Sequence, residues 1–392
     1  MAALNTLALK AIELNGRQLW NAYTECVIYE DMFRNSISGH IDIKESEYMH
    51  ESLPIIGEEF FVIQFASVQR VSGSEDSVLT FMLKTTKITD FTDAGEGQKT
   101  YRLHFQSVMA EANRNKRVRK HYEGTGTSIA STIMQEMFGE EFQSMDASKH
   151  TESYWFPNWN PFKCIDHLTK CSVSAQYNDP YYIFYEDRDG YHLTTFSKLF
   201  DKPKKETIKI RYVTSMLDEN QDDYLATRIA FKPMIDVLEN ELNGMYGGKL
   251  VTYDKYNKKV EEKNFTYTGT HGQFKHLSDE KLVKMKAESP KNNVQLLPTN
   301  EKDYRSSFTN VKEWAVQSRI RSAQVRGMRA HFWLNRATDL KLGDIIEWDF
   351  RNTSTESPHK ILSGNWMITR MKHVIQPGHY MCQVETVKDG LG

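Results

Sequence analysis

The chain has 392 residues, of which 50 are Lys or Arg and 52 are Asp or Glu, so its formal net charge is -2. This balance argues against a dedicated nucleic-acid binder, because such proteins usually carry a strong basic excess. Aromatic residues make up 12% of the chain, which argues against disorder, and no apolar run of about 18 residues predicts a membrane span. At about 100–200 residues per domain, the length predicts two to four domains.

The N-terminus and the cysteines predict a chain made in a cytoplasm. Residues Met1 to Arg17 lack the basic start, apolar run and small-residue cleavage site that are typical of a secretory signal. The cysteines fit neither a zinc module nor a disulfide scaffold, so we expect reduced, buried thiols. They are Cys26, Cys164, Cys171 and Cys382.

The first hundred residues have the patterns of short β-strands. Residues 26–29 form an apolar run, and Ile37, Ile41 and Ile43 alternate with polar residues. A glycine turn at Gly57 precedes an apolar run, and strands are predicted over 78–88 and around 101–105. Strands at this density favour a small barrel or a sandwich.

Helical patterns then appear. Ser128 can cap a helix that Gly139 ends, and Asn160 with Pro161 begins another. Two apolar runs, 181–186 and 191–196, flank residues 187–190 and predict a hairpin with a four-residue loop. This part of the chain is therefore expected to be a mixed α+β unit.

The remaining chain alternates between helix, strand and polar linker. Residues 202–205 are typical of a linker, and 225–231 of a strand. A short helix is predicted to end at Gly244, strands at 250–253 and 265–267, and a helix over 311–325 with Asn310 as its cap. Residues 279–310 are polar and interrupted by proline, so we expect the least structure there, and the C-terminus returns to β.

The two β regions have the same order of signals. Gly57 followed by an acidic residue precedes a strand, and so does Gly343 with Asp344. Each is followed by an Ile-Thr pair, a loop and a Tyr-x-apolar-x-apolar strand, at 88–105 and at 368–384. We therefore expect a duplication with Gly57 and Gly343 as equivalent structural turn glycines. Three such chains in a ring would present six similar units.

No catalytic, cofactor or metal site is predicted. The glycine-rich nucleotide motifs, GxSxG and HExxH are absent from the sequence. His167 and Cys171 lie four residues apart on a possible helix, where packing is the commoner role. His373 and His379 have no carboxylate at ligand spacing. A basic run over 114–121 lacks interleaved aromatic residues, which favours a solvated or intersubunit face over a phosphate-contacting arm.

Several segments along nearly the whole chain resemble the baseplate central hub subunits of T-even-like contractile-tailed bacteriophages. No single motif is decisive, but their order and spacing are specific. The segments are 28–33 (IYEDMF), 53–59 (LPIIGEE), 101–105 (YRLHF), 157–162 (PNWNPF), 184–192 (FYEDRDGYH), 238–246 (LENELNGMY), 362–369 (LSGNWMIT) and 387–391 (VKDGL). The N-terminus up to Gln18 contains no such segment.

The resemblance implies a mostly β, α+β chain with two similar tube-like antiparallel β-barrels and inserted mixed α+β domains. The first barrel is expected over residues 1–110, a mixed domain over 111–205, the second barrel over 206–240 plus 322–392, and an inserted domain over 241–321. It further implies a homotrimer with pseudo-six-fold symmetry. That trimer would join the hexameric tail tube to the trimeric central spike, beside other baseplate proteins.

The resemblance also implies that the chain is a structural adaptor of the virion tail baseplate and carries no catalytic residues. It would be assembled in the bacterial host cytoplasm. Phage DNA would pass its lumen without sequence-specific binding. Three alternatives stay open: a hub or spike protein of another contractile injection system, a tail-associated peptidoglycan hydrolase, and a cell-surface binding module. The last would use exposed aromatic residues such as Trp155 and Trp159, for which packing within the domain is the expected role.

Overall fold

The computed structural model describes residues 6–45, 55–68, 75–93, 95, 97–202, 209–212, 225–232, 235–254, 257–278, 280–282, 294–299, 310–348 and 359–391. For residues 209–212, 225 and 227 it describes the backbone alone. The predicted linker at 203–205 lies outside this part of the chain.

The described residues are mostly β. The strands of the N-terminal half are β1 (Leu7–Leu14), β2 (Arg17–Gln18), β3 (Tyr23–Asp31), β4 (Ser38–Glu45), β5 (Phe60–Ser67), β6 (Leu79–Asp93), β7 (Lys99–Ser107), β8 (His121–Thr125), β9 (Ser144–Met145), β10 (Thr151–Trp155), β11 (Tyr182–Asp187) and β12 (Gly190–Thr195). Those of the C-terminal half are β13 (Lys209–Tyr212), β14 (Leu225–Phe231), β15 (Gly247–Asp254), β16 (Lys259–Thr266), β17 (Glu280–Lys281), β18 (Val294–Thr299), β19 (Met328–Leu334), β20 (Ile345–Trp348), β21 (Gly364–Gln376), β22 (His379–Lys388) and β23 (Gly390–Leu391).

The helices are short and lie between the strands. They are α1 (Val108–Asn115), α2 (Gly126–Phe138), α3 (Pro161–Cys171), α4 (Phe196–Phe200), α5 (Val237–Leu242), α6 (Tyr267–His271) and α7 (Val311–Val325).

One sheet joins both β regions of the chain. Its strand order is β2-β1-β5-β6-β7-β4-β3-β21-β20-β13-β14-β19-β22, and β21 also pairs with β22. The two regions meet where β3 and β21 pair antiparallel, from Arg370 opposite Asp31 to Ile375 opposite Cys26. Behind the sheet, a single hydrophobic cluster spans both regions and contains large buried side chains such as Phe61, Phe105 and Trp366. We name the β3–β21 junction the seam.

The strand pairings of the two β regions follow the same order along the chain. In the first region the neighbours run β3-β4-β7-β6-β5-β1. In the second they run β14-β19-β22-β21-β20-β13. β13 also pairs with β14, so the second set closes into a circuit. The regions differ because β1 pairs antiparallel with β5 whereas β13 pairs parallel with β20. Two similar tube-like barrels stay a prediction that this order supports.

The mixed α+β elements fill the stretch between the two β regions. Here α2 and α3 pack against the β11-β12-β9 sheet through a second cluster that includes Ile133, Leu168 and Phe184. Further along, α7 covers one face of the β16-β15-β18 sheet through Val316 and Ile320. These elements lie in the stretches for which the sequence predicts a mixed and an inserted domain, and both domains and their bounds stay predictions.

Two local predictions are wrong. Helix α2 begins three residues early because Thr125, not Ser128, is its cap and accepts from the Ser128 amide. Pairing of β11 and β12 continues to Asp187 opposite Gly190, so the hairpin loop has two residues instead of four. Within the stretch expected to be least structured, residues 294–299 form β18, which pairs in parallel with β15. Most of the remaining stretch lies outside the described residues. Val118, within the basic run, is fully buried.

Candidate functional site

The two predicted turn glycines both precede the strands expected of them. Gly57 lies before β5 with φ +94°, and Gly343 lies before β20 with φ +79°, a region that a Cβ disfavours. The Glu59 carbonyl accepts from the Thr85 amide at 2.9 Å, and the Asp344 carbonyl accepts from the Ile368 amide at 3.0 Å. Gly57 therefore lies two residues before the carbonyl that accepts its bond, whereas Gly343 lies one residue before the corresponding carbonyl. Their equivalence stays a prediction.

A continuous polar surface crosses the seam. Six antiparallel neighbours, β7-β4-β3-β21-β22-β19, point alternate side chains away from the core on the same side. We call this surface the polar sheet face. Its side chains include Arg102, His104, His40, Asp42, Glu25, Tyr29, Asp31, Arg370, Lys372, Gln383, Glu385 and His331.

Opposite charges alternate across the polar sheet face. Arg102 binds both carboxylate oxygens of Asp42, at 2.5 and 2.8 Å. Arg370 lies 3.0 Å from a carboxylate oxygen of Asp31 and 3.0 Å from one of Glu385. Because Arg102 and Arg370 already have carboxylate partners, neither guanidinium offers a phosphate an unpaired charge.

The histidines of this face add no charge at neutral pH. Burial lowers the pKa of His40 and of His104, and Arg102 lowers both further. Burial also lowers the pKa of His331, although Glu385 opposes that effect. The imidazoles are therefore neutral near pH 7, and the face becomes more basic only in acid.

One group on this face has the donor atoms for a metal ion, which the sequence analysis missed. Candidate ligand atoms of Glu25, His40 and Asp42 lie within 4.8 Å of one another. The alternation of His40 and Asp42 on one strand was the available signal. However, Arg102 occupies both oxygens of Asp42 and Gln376 donates to Glu25 at 2.8 Å. A cation would have to displace a bound guanidinium, so the group serves as a polar network of the sheet.

A buried ionic network ties the seam to the mixed α+β elements. The Arg188 amide donates to Glu30 at 3.0 Å, and the His373 Nε2 lies 2.8 Å from the same carboxylate. The Arg188 guanidinium also donates to the carbonyls of Thr338, at 2.6 Å, and Leu340. One residue of the β11–β12 loop therefore contacts both β regions. We call Glu30, Arg188, His373 and Tyr380 the seam network.

The charge states in the seam network follow from its contacts. Burial alone would raise the pKa of Glu30, but Arg188 and His373 together lower it to about 2. Burial lowers the pKa of His373, so the imidazole is neutral, donates from Nε2 to Glu30 and accepts from the Tyr380 hydroxyl at 2.8 Å. The network thus contains one buried carboxylate and one buried guanidinium, both hydrogen-bonded.

The basic run at 114–121 is part of the surface of the mixed α+β elements. Arg119 donates to Asn158 at 2.6 Å, and Lys120 pairs with Glu136 at 2.6 Å. Arg117 donates to nearby backbone carbonyls. These contacts fix the side chains locally, in agreement with a solvated or intersubunit face.

His167 and Cys171 are packed inside the mixed α+β elements, which is the role expected of them. His167 packs edge-on against Tyr154 and Trp159, with ring centres 5.7 and 5.4 Å away. Burial raises the pKa of Cys171 to about 12, so its thiol stays protonated. His373 belongs to the seam network, whereas His379 is exposed.

The two tryptophans proposed as surface aromatics behave differently. Trp159 is partly buried and packs against Phe156, as expected. Trp155 is 70% exposed and stacks on His121, at 6.3 Å, so the expectation that it packs inside the domain is wrong. Side chains alternate along β10, and because Tyr154 points into the core, Trp155 points outward.

No helix of the described residues has the length and apolar character needed to cross a membrane. No protein-family model matches the chain.

The fold is that of tail proteins. The TM-score is 0.59 with the tail protein from Neisseria meningitidis MC58, which is 8% identical with 98% of each chain covered. The TM-score is 0.55 with the 43 kDa tail protein of prophage MuSo2 from Shewanella oneidensis. The two sequences are 11% identical, and the superposition covers 97% of this chain and 98% of that chain.

A relative in sequence is the probable baseplate hub protein gp334 of Vibrio phage KVP40. It is 20% identical over 390 residues, which cover 94% of this chain and 90% of that protein. Together with the tail-protein fold, this likeness confirms the predicted resemblance to phage baseplate hub proteins.

Proposed function

We propose that the chain is a structural baseplate hub protein of a contractile phage tail and acts as a homotrimeric symmetry adaptor. It joins the hexameric tail tube to the trimeric central spike, within the tail baseplate of the virion. The likeness to a baseplate hub protein over 94% of the chain supports the setting. The protein assembles in the host cytoplasm together with other baseplate proteins.

The repeated pairing order is the observation that carries the proposal. Six strands of each β region neighbour one another in the same sequence-ordered pattern, so each chain supplies two similar units. Three chains then supply six units, which is the number needed to match a hexameric tube. The mixed and inserted elements, which differ between the two regions, restrict the pseudo-six-fold symmetry to the tube-facing side.

The adaptor must keep its two units in fixed relation while the tail contracts. The β3–β21 pairing joins them through backbone hydrogen bonds, and the seam network adds a buried hydrogen bond from His373 to Glu30 across the same junction. A sheet that continues through the seam resists bending better than two units on a linker would. This arrangement suits a chain that transmits force without changing shape.

The polar sheet face is proposed as the wall of the DNA passage. DNA must slide past this wall without being held, and phosphate contacts by unpaired Lys or Arg would retain it. The pairs formed by Arg102 and Arg370 with carboxylates, and the neutral histidines, meet that requirement. No sequence-specific reading of bases is expected there.

Copy number in purified particles tests this proposal. Quantitative mass spectrometry with isotope-labelled peptides of the chain and of the spike protein should give three copies of each per baseplate. A ratio of two chains to one spike protein, or six copies per baseplate, would contradict the adaptor role.

A further inference from the structure

A strongly basic groove opens beside the mixed α+β elements. Its volume is about 460 Å³, and it lies between the end of α3, α5 and α7. Among the described residues that line it, four are cationic and one is a carboxylate. They are Lys170, Arg319, Arg326, Arg329 and Glu239. We call this surface the basic groove.

The groove keeps much of its positive charge. Arg326 is exposed, donates to the Tyr181 hydroxyl at 2.9 Å and lies over the Phe33 ring at 4.0 Å, and both partners are neutral. Arg329 reaches Glu239 only at 4.0 Å. An anionic group entering the groove would therefore gain charge-assisted hydrogen bonds with Arg326 and Arg329, for which the described residues supply no closer carboxylate.

An apolar rim beside the groove points to a protein as its occupant. Helix α5, which lines the groove with Glu239 and Asn240, turns Leu238 and Leu242 outward, where they are 74% and 77% exposed. A free phosphate or another small anion would not cover these side chains. Apolar side chains next to a charged groove are typical of a protein–protein interface.

A complementary acidic surface lies elsewhere on the same chain. Glu140 and Glu141 follow the end of α2 and are both exposed. They line a second groove, of about 250 Å³, together with Asp189 and with Met82, which is 62% exposed. We call this surface the acidic corner. It offers carboxylates and an apolar side chain, as the basic groove and its rim require.

The two surfaces lie at opposite ends of the mixed α+β elements. Strand β11 runs from beside Tyr181, which lines the basic groove, to Asp187, which lines the second groove. At about 3.3 Å per residue this strand separates them by about 20 Å. Within one copy they cannot meet, but two different complementary surfaces are what a closed ring of identical chains needs.

We infer that in the ring the acidic corner of one copy docks into the basic groove of the next. This inference rests on the proposed homotrimer and identifies its subunit contact. The Glu140 and Glu141 carboxylates pair with the groove's guanidinium and ammonium groups, and Met82 covers part of the apolar rim. Because each copy carries one of each surface, the contact repeats around the ring until it closes.

Disulfide trapping in assembled baseplates tests the contact. Glu141→Cys marks the acidic corner, and Ser318→Cys, on α7, marks the basic groove. A chain with both substitutions should form covalent dimers and trimers on a non-reducing gel, and nothing larger. Baseplates assembled from a mixture of the two single variants should form dimers. Gln135→Cys, exposed on α2, is the matched control with Ser318→Cys and should form none.

The outcomes separate this contact from the proposed function. Baseplates with three copies but without disulfide dimers would overturn the contact and leave the adaptor role intact. Ladders beyond the trimer would overturn the closed ring itself. A disulfide adduct between Ser318→Cys and a different baseplate protein would identify another occupant and also overturn the contact. The four native cysteines are buried and give no background.

Discussion

Replacing Arg188 with Met should destabilise the protein strongly through Glu30. The substitution keeps an unbranched side chain of similar length but removes the guanidinium that accompanies a fully buried carboxylate. Glu30 would keep its contact with His373, whose imidazole is neutral, and would have no buried cation near it. A buried charge that loses its partner is costly because water cannot replace the lost interaction.

The expected loss is about 3 kcal/mol at neutral pH. The pKa of Glu30 falls from its ordinary value of 4.5 to about 2 in the folded protein. A difference of that size corresponds to about 3 kcal/mol of stability that the ionised carboxylate contributes above pH 4.5. Mutations that break buried ion pairs cost a similar amount, about 3–5 kcal/mol.

Urea unfolding followed by tryptophan fluorescence is the measurement. The matched control is Lys341→Met, which removes a bridge to the neighbouring Asp189 in which both side chains are 43% exposed. Exposed pairs contribute about 1 kcal/mol or less, so this variant should unfold near the wild-type midpoint. If Arg188→Met also unfolds there, the seam network does not stabilise the fold as argued.

The same reasoning predicts a pH dependence. Because the folded pKa of Glu30 is depressed, its contribution is present above pH 4.5 and is lost as pH falls towards 2. The stability difference between wild type and Arg188→Met should therefore shrink between pH 5 and pH 3. A difference that stays constant over this range would assign the loss to packing.

Three further predictions concern the turn glycines, the buried cysteines and the absence of hydrolase activity. Gly343→Ala should destabilise the protein by about 1–2 kcal/mol, which is more than Gly57→Ala should cost. Both glycines have positive φ, but a Cβ added at Gly343 would lie 3.3 Å from the Leu199 side chain, whereas one added at Gly57 would have no neighbour closer than 3.9 Å. Ellman's reagent should label no cysteine before unfolding, because burial raises the pKa of Cys164 and Cys171 to about 12. The pure protein should leave no cleared band in a cell-wall zymogram.

Each of these has a contradicting result. Equal destabilisation by the two alanine substitutions would mean that the close contact of Gly343 does not matter. Rapid labelling of native protein would require an accessible thiolate. A cleared band that one point substitution abolishes would favour the peptidoglycan hydrolase alternative.

Strand alternation made much of the β architecture predictable. Ile37, Ile41 and Ile43 alternate with polar residues because one side of β4 packs on the core and the other joins the polar sheet face. Strand β1 was missed, although its residues pair along most of β5. The early part of β1, with Lys10 among apolar residues, has a bulge between Leu9 and Ala11, and a bulge obscures a period of two.

The seam and its network could not be predicted from the sequence. Glu30 and His373 are 343 residues apart and meet only because the edges of two separate β regions pair. A lone glutamate in a strand has the same local pattern whether it faces solvent or a buried guanidinium. A charged residue in a hairpin loop usually faces solvent, yet tertiary contacts bury the Arg188 side chain.

The repeat signals were informative in order but inexact in register. Ile88 pairs with Leu103, whereas Ile368 pairs with Thr386, so the two Ile-Thr pairs do not occupy matching places in their hairpins. A shift in register leaves the strand order unchanged, because the order depends only on which strands are neighbours. Side-chain register depends on each bulge, and sequence patterns do not fix bulges.

Helix α5 shows the limit of reading apolar residues as core. Leu238 and Leu242 marked the helix correctly, but both are exposed. An apolar side chain that packs against another subunit has the same sequence pattern as one that packs inside its own chain. The basic groove was missed for a related reason, since Lys170, Arg319 and Arg326 come together only in the folded chain.

The symmetry of the hub ring in intact baseplates tests the central claim most directly. A cryo-electron microscopy reconstruction without imposed symmetry should contain three copies of this chain around the tail axis. Each copy should contribute both β regions to the tube-facing ring, so that six similar units meet the tube while the opposite side follows three-fold symmetry. Six copies in the ring, or three copies that each place a single β region in it, would contradict the account.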